Sequence, residues 1–376
     1  MTQHIVFLHP ELSYSGHTHR ILSTARVCVE AGARVTFLGR RGSRQAAAEA
    51  AGFAVEELDL FPGPLGRPFL KRRLIERLIA LKPDMLHVTD TSLARLAAAV
   101  VRRLGLPYLL ETPHSTNERI EFDAGLLRNV IVPSESLDER LINAGRLPRE
   151  LLVHLPSSPG ELELGEVAEL TADGEPREPQ IPDAPFAHEG PPRIGCTGYF
   201  DAGFAGQWFL EAARLLDREG KKWTFLMIGE GPEERDLRRR ARDAGLAERV
   251  TIGVPTTSTA RRTLASLDVH VACRTDTGPG WLTAQTMRLG TPNIVAASGD
   301  AFHLIRDHES GILVPPGDAR RLADELTSLV ANPARAAAIG SEGRHRSLTD
   351  APRSDFDQRV RDLHGLAAPA PVAVEA

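Results

Sequence analysis

Apolar and β-favouring positions in the first half of the chain cluster in short runs at 4–8, 34–38, 54–58, 85–88, 108–111, 130–132 and 151–155. Such runs, bounded by turn residues, suit strands buried on both faces, whereas apolar residues three and four apart line one face of a helix. Ile21, Leu22, Ala25, Val27, Cys28 and Ala31 have the helical spacing, and Gly32 supplies a left-handed cap, so a helix is expected over 18–31. Strands alternating with amphipathic helices predict βαβ units around a parallel sheet.

This rhythm stops at 157–191, where Pro, Gly, Glu and Asp dominate and large apolar residues are scarce, as in a linker. It restarts with runs at 193–197, 223–228, 250–252, 269–273, 293–296 and 312–314. The pattern predicts a doubly wound domain over 1–156, a second over 192–345, a last helix within 346–366 carrying Phe356, Val360, Leu363 and Leu366, and a disordered tail over 367–376. At 376 residues the chain exceeds the roughly 250 to 300 at which one core stops growing. Two similar α/β domains leave a cleft at the carboxyl ends of their strands, where open α/β sheets bind ligands.

Composition narrows the function classes. No apolar stretch approaches the ~20 residues of a membrane span, and the start lacks the pattern of a secretory signal, so a cytoplasmic location is expected. A formal net charge of −5 without long like-charge blocks gives no support to nucleic-acid binding. Arg67, Lys71, Arg72, Arg73 and Arg77 form one basic segment, either a solvated helix face or a face toward anionic lipid, which leaves a membrane-peripheral placement open. Cys28, Cys196 and Cys273 stand singly among apolar residues, as reduced core thiols do, and no metal site is read.

Two segments carry candidate chemistry. Gly229-Glu230-Gly231-Pro232 joins an expected strand to a helix, with Pro232 fit for the first helical position, so free amides and the positive helix end face a ligand. In 273–287, Gly278 and Gly280 bring backbone amides close to an anion, and the hydroxyls of Thr277 and Thr283 add donors, as in a phosphate cradle.

In the stretches 227–233, 285–292 and 311–318, and more weakly at Ser15-Gly16-His17, 83–87, Thr112-Pro113-His114 and 132–136, the chain resembles the retaining glycosyltransferases grouped as family four, which have the GT-B fold: two doubly wound Rossmann-like domains facing across a cleft. The resemblance implies that the second domain holds a nucleotide diphosphate sugar as co-substrate, without cofactor or metal, and that the first receives the acceptor. It assigns donor binding to Gly198, Tyr199, Gly229, Gly231, Asp276, Thr277, Gly278, Gly280, Trp281, Leu282 and Gln285, and acceptor binding to Ser15, Gly16 and His17. His114 falls where the family has an active-site histidine, and Arg274 is the cation nearest in sequence to the glycine-rich turn; both are candidate catalytic residues.

The departures are specific. Thr277 and Gln285 occupy positions where the family has glutamates, and Tyr199 and Ala205 stand where it has an arginine and a lysine on the diphosphate. Asp276 and Arg274 are candidate replacements for one carboxylate and one cation. The sequence thus supports an enzyme moving a sugar to an undetermined acceptor, whether sugar, lipid-linked or small molecule. Its alternative is a glycosyltransferase-like scaffold without turnover; nothing specific supports a nucleotide-sugar epimerase.

Overall fold

In the computed structural model the described residues are 2–112, 120–133, 135–144, 146–155, 185–186, 188–255, 259–276, 280–299, 301–349 and 353–367. They form two compact units, one comprising Met1–Leu12, Arg20–Pro156 and Arg353–Ala376, the other Ser13–His19 and Ser157–Pro352. Most of the expected linker and nearly all of the expected tail lie outside the described residues.

The first unit is built on β1 (His4–Glu11), β2 (Arg34–Arg40), β3 (Ala54–Glu57), β4 (Met85–Val88), β5 (Tyr108–Glu111), β6 (Leu127–Val132) and β7 (Leu152–His154). All pairings are parallel, in the order β3-β2-β1-β4-β5-β6-β7, with Ile5 beside both Val35 and Met85. β1, β4 and β5 are buried nearly end to end, which is why they read as continuous apolar runs. The helix Gly16–Glu30 ends where Gly32 takes φ +86° and the amide of Ala33 donates to the carbonyl of Cys28, closing a Schellman-type cap. Leu74, Ile75 and Leu78 of the helix Arg67–Leu81 pack into the core of this unit.

Polar residues from four elements of this unit, Arg20, His87, Glu111 and His364, meet in its interior. Arg20 donates from Nη1 to Glu111 Oε1 at 2.7 Å, His87 Nε2 lies 3.2 Å from Glu111 Oε2, and His87 Nδ1 lies 3.0 Å from His364 Nε2. His364 donates from Nδ1 to the carbonyl of Val360 at 2.7 Å, and the Phe7 ring stacks on the His364 imidazole and meets that of His87 at a tilt. The helix Arg353–His364 is thereby fixed to this unit through a buried polar chain rather than through apolar contact alone.

The second unit contains β8 (Arg193–Tyr199), β9 (Thr224–Glu230), β10 (Val250–Gly253), β11 (Val269–Ala272), β12 (Asn293–Ala296) and β13 (Ile312–Val314), again all parallel, in the order β10-β9-β8-β11-β12-β13. Strand order reverses at β8 and β11, so their carboxyl ends make a topological switch point, the usual ligand position in such sheets. Trp208, Phe209, Phe225 and Met227 lie in the core packed between this sheet and its helices. Among the described residues no helix is long and apolar enough to cross a membrane.

Candidate functional site

The loops that follow β8, β9 and β11 are tied together by their backbones. Phe200 donates its amide to the carbonyl of Glu230 at 2.8 Å, Ala205 donates to Cys273 at 3.1 Å, and Thr275 donates to Gly203 at 3.1 Å. Close approach explains most of the glycines here. A Cβ on Gly198 would lie 2.9 Å from the Phe204 ring, one on Gly229 would meet the Gly198 carbonyl oxygen, and one on Gly231 would sit 2.5 to 2.8 Å from the Phe200 backbone. Gly203 is filled by the carboxylate of Asp276, and Gly206 by Leu237 and Phe204. The glycines at 198, 229 and 231, expected from the sequence at the donor, therefore have a packing reason within this unit.

Gly280 is different. It is exposed, its φ of −97° is open to any residue, and a Cβ there would find nothing within 4 Å among the described residues. It precedes the helix Trp281–Arg288, whose residues from Trp281 to Met287 are all buried. The start of this helix therefore opens at Gly280, with its first-turn amides and positive dipole end beside the switch point.

The helix is held from beneath by a polar network. His270, buried on β11, lies 2.9 Å from Thr197 Oγ1, 2.6 Å from Asn293 Oδ1 and 3.2 Å from Thr286 Oγ1, and Thr286 Oγ1 lies 2.7 Å from Asn293 Oδ1. Burial pushes the His270 imidazole down to about 4, so it is neutral near pH 7. Thr286 is thus joined to β8, β11 and β12 through groups that cannot be exchanged for apolar ones singly without leaving a buried partner unsatisfied.

Around Gly280 the segment Ser13–His19 completes the second unit. Ser15 Oγ accepts the Thr18 amide at 3.0 Å and so caps the helix Gly16–Glu30. A Cβ on Gly16 would make ordinary contact with the Trp281 backbone at 3.5 Å, and the Tyr14 amide donates to Glu230 Oε1. His19 stacks on Trp281 with ring centroids 4.8 Å apart and 17° between planes, while Tyr14 meets His19 edge-on at 5.0 Å. The Trp281 indole N–H is buried without a hydrogen-bond partner among the described residues. His17 is half-buried beside this group.

Arg274, after β11, is not an isolated cation. Its Nη2 donates to Asp201 Oδ1 at 2.6 Å and Oδ2 at 2.8 Å, its Nη1 donates to Oδ1 at 3.1 Å, and Asp276 Oδ1 lies 3.5 Å from Nη1. The three side chains are 24%, 36% and 40% exposed for Arg274, Asp201 and Asp276.

The structure thus brings Ser15, Gly16, Gly280, Trp281 and Leu282 together, and places Tyr199 at the end of β8 and Arg274 and Asp276 in the loop after β11; Gln285 is buried within the helix. His114, Thr277 and Gly278 lie outside the described residues. His19 and Asp201 join this site without a sequence pattern that singles either out. The signal for His270, and for His87, was a histidine interrupting an otherwise apolar strand.

Two parallel sheets of Rossmann-like strand order make this an α/β protein of GT-B type. Residues 191–332 match the family model described as Glycosyl transferases group 1, and 14–157 match that described as Glycosyltransferase Family 4, so both halves carry glycosyltransferase-type domains. A GDP-mannose-dependent alpha-(1-6)-phosphatidylinositol monomannoside mannosyltransferase of Mycolicibacterium smegmatis is 31% identical over 147 residues, covering 37% of this chain and 38% of the relative. The 2-deoxystreptamine glucosyltransferase of Streptomyces kanamyceticus is 26% identical over 157 residues, covering 42% and 41%. The chain therefore matches about two fifths of the length of these relatives. Among solved structures, Anabaena HepE in complex with UDP and glucose superposes with a TM-score of 0.74 at 17% identity, over 96% of this chain and 99% of that one. The sucrose-phosphate synthase of Thermosynechococcus elongatus gives 0.69 at 19%, over 96% and 98%. At these identities the structural likeness speaks for the fold.

Proposed function

We propose that the protein is a glycosyltransferase that moves a sugar from a nucleotide diphosphate donor to an acceptor with retention at the anomeric carbon, and that the second unit holds the donor. The observation that carries this reading is the contrast among glycines. Gly198, Gly203, Gly206, Gly229 and Gly231 are each filled by the protein, whereas Gly280, at the start of a buried helix beside the switch point, has room for a Cβ among the described residues. A glycine that packing does not require, at a helix start, suits the approach of an anionic group to backbone amides. The reaction needs the leaving diphosphate stabilised as the glycosidic bond loosens toward an oxocarbenium-like state, which preorganised amides and one cation, Arg274, would supply. His114 is the proposed acid–base or sugar-contacting residue by the family resemblance.

Relatives act on acceptors as unlike as a phosphatidylinositol mannoside and 2-deoxystreptamine, by their names. The acceptor class proposed here is accordingly broad: a sugar, a lipid-linked sugar or a small polyol. The helix Arg67–Leu81 offers a face suited to a membrane-held acceptor, since Lys71, Arg72 and Arg73 are exposed beside Leu65 at 91% and Phe69 at 62% exposure. A non-catalytic scaffold remains the second reading, favoured by one observation: Tyr199 and Ala205 supply no charge, and Arg274 is already engaged by two carboxylates. Incubation with a panel of nucleotide diphosphate sugars separates the two. The enzyme releases a nucleoside diphosphate with at least one donor and acceptor, whereas stabilisation by a donor with no turnover across the acceptor panel selects the scaffold.

A further inference from the structure

The strand-end loops of the second unit contain one arginine whose hydrogen-bonding fork is already occupied. Asp201 takes both Nη atoms of Arg274 through three contacts between 2.6 and 3.1 Å, with the bidentate geometry that a phosphate would use. The carboxylate is itself aimed, because Asp201 Oδ1 also accepts the Gly203 amide at 3.1 Å. Asp276 closes from the other side, 3.5 Å from Nη1, against the bare Cα of Gly203. The backbone of Arg274 is fixed by its bridge to Phe204 and by Ser298 Oγ donating to its carbonyl at 3.2 Å. Two carboxylates around one guanidinium leave this cluster at a formal charge of −1, which repels a diphosphate rather than attracting it.

We propose that Asp201 is an internal stand-in for the donor phosphate: it holds Arg274 in a self-neutralised resting state, and the incoming diphosphate displaces it from the guanidinium fork. This rests on the reading that the second unit binds the donor through Arg274. All three side chains are partly exposed, so the exchange of one anion for another takes place in high dielectric and needs no buried, unpaired charge at any stage. The long arginine stem can turn while its backbone stays fixed, and the bidentate fork accepts a phosphate as readily as a carboxylate. The device makes the free site weak for ordinary anions and gives Asp201 control over donor affinity.

The test uses UDP and GDP as probes, with binding followed by calorimetry on the full chain and thermal unfolding of each ligand-free variant confirming its fold. Asp201→Asn keeps the acceptor for the Gly203 amide while removing the competing charge. It should tighten binding of at least one nucleotide roughly three- to tenfold, the scale of a partly exposed ion pair together with the loss of one repelling charge, and more at low ionic strength. Arg274→Ala should weaken binding, and in that background the gain from Asp201→Asn should largely disappear. If Arg274→Ala weakens binding but Asp201→Asn leaves it equal or weaker, the stand-in role is overturned while the donor site stands. If Arg274→Ala binds as the parent does, or neither nucleotide binds the parent or Asp201→Asn, the donor-site reading of Arg274 falls and the stand-in with it.

Discussion

Acid should loosen the second unit through His270 before carboxylate protonation does. The buried imidazole has its pKa lowered from 6.5 to about 4, with burial as the cause and the hydrogen bond to Asn293 opposing it. Between those two values the unfolded chain binds a proton that the folded chain refuses, so stability falls as pH falls through this window and is unaffected by this group above it. Each pH unit inside the window removes about 1.4 kcal/mol, and the whole window about 3 kcal/mol. Replacing His270 by Gln removes the titration. At pH 7.5 the variant should be less stable, because Thr197, Asn293 and Thr286 lose a shared partner. Its stability should nevertheless decline less steeply between pH 6 and 4.5, by up to about 1.4 kcal/mol per pH unit. Trp208, Trp223 and Trp281 are the three tryptophans of the chain and all belong to the second unit, so urea unfolding followed by tryptophan fluorescence reports this unit selectively. Equal pH slopes for parent and His270→Gln would refute the reasoning.

Gly231→Ala should destabilise the second unit by roughly 1 to 3 kcal/mol, since its Cβ would press on the Phe200 backbone, while Gly280→Ala should stay within about 0.5 kcal/mol; the same fluorescence-monitored unfolding compares them. In the first unit, Glu111→Gln leaves the buried Arg20 charge without its carboxylate and should cost about 3 to 5 kcal/mol, read from thermal unfolding by circular dichroism. His364 is pushed down to about 3 by burial first and by His87 second, so the first unit should also lose stability as pH falls below about 6.5, an acid sensitivity that His364→Gln should reduce. Leu65→Asp combined with Phe69→Asp should abolish co-sedimentation with anionic phosphatidylglycerol vesicles while leaving unfolding unchanged; vesicle binding equal to that of the parent would remove the proposed membrane face.

Central strands were legible because β4, β5, β11 and β12 are buried on both faces and so appear as nearly continuous apolar runs, whereas the more exposed β3 and β10 were marked by their place in the alternation. All thirteen expected runs overlap observed strands, with ends displaced by a few residues where polar side chains extend the ladder, as at Glu11 and Glu230. The grouping of residues was less legible. The sequence places Ser15, Gly16 and His17 with the first domain and the last helix by itself, whereas contacts put Ser13–His19 in the second unit and Arg353–Ala376 in the first. The pairing of Arg274 with Asp201 spans 73 positions and that of His87 with His364 spans 277, and neither side chain carries a local pattern naming its partner. Glycine was ambiguous for a related reason. A missing Cβ reads the same whether backbone, a ring or a ligand fills the space, and only the packing around Gly231 and Gly280 tells them apart.

The central claim, that backbone amides at the start of the helix Trp281–Arg288 receive a donor diphosphate, is tested most directly at Gly280. A Cβ there meets nothing within 4 Å among the described residues, so Gly280→Val should fold and unfold like the parent, yet it fills the space through which phosphate oxygens would reach the amides. Calorimetric titration of parent and Gly280→Val with UDP, GDP and their sugar conjugates should show binding by the parent and at least a hundredfold loss in the variant, about 2.7 kcal/mol. A folded Gly280→Val protein that binds the same nucleotide as tightly as the parent would contradict the account.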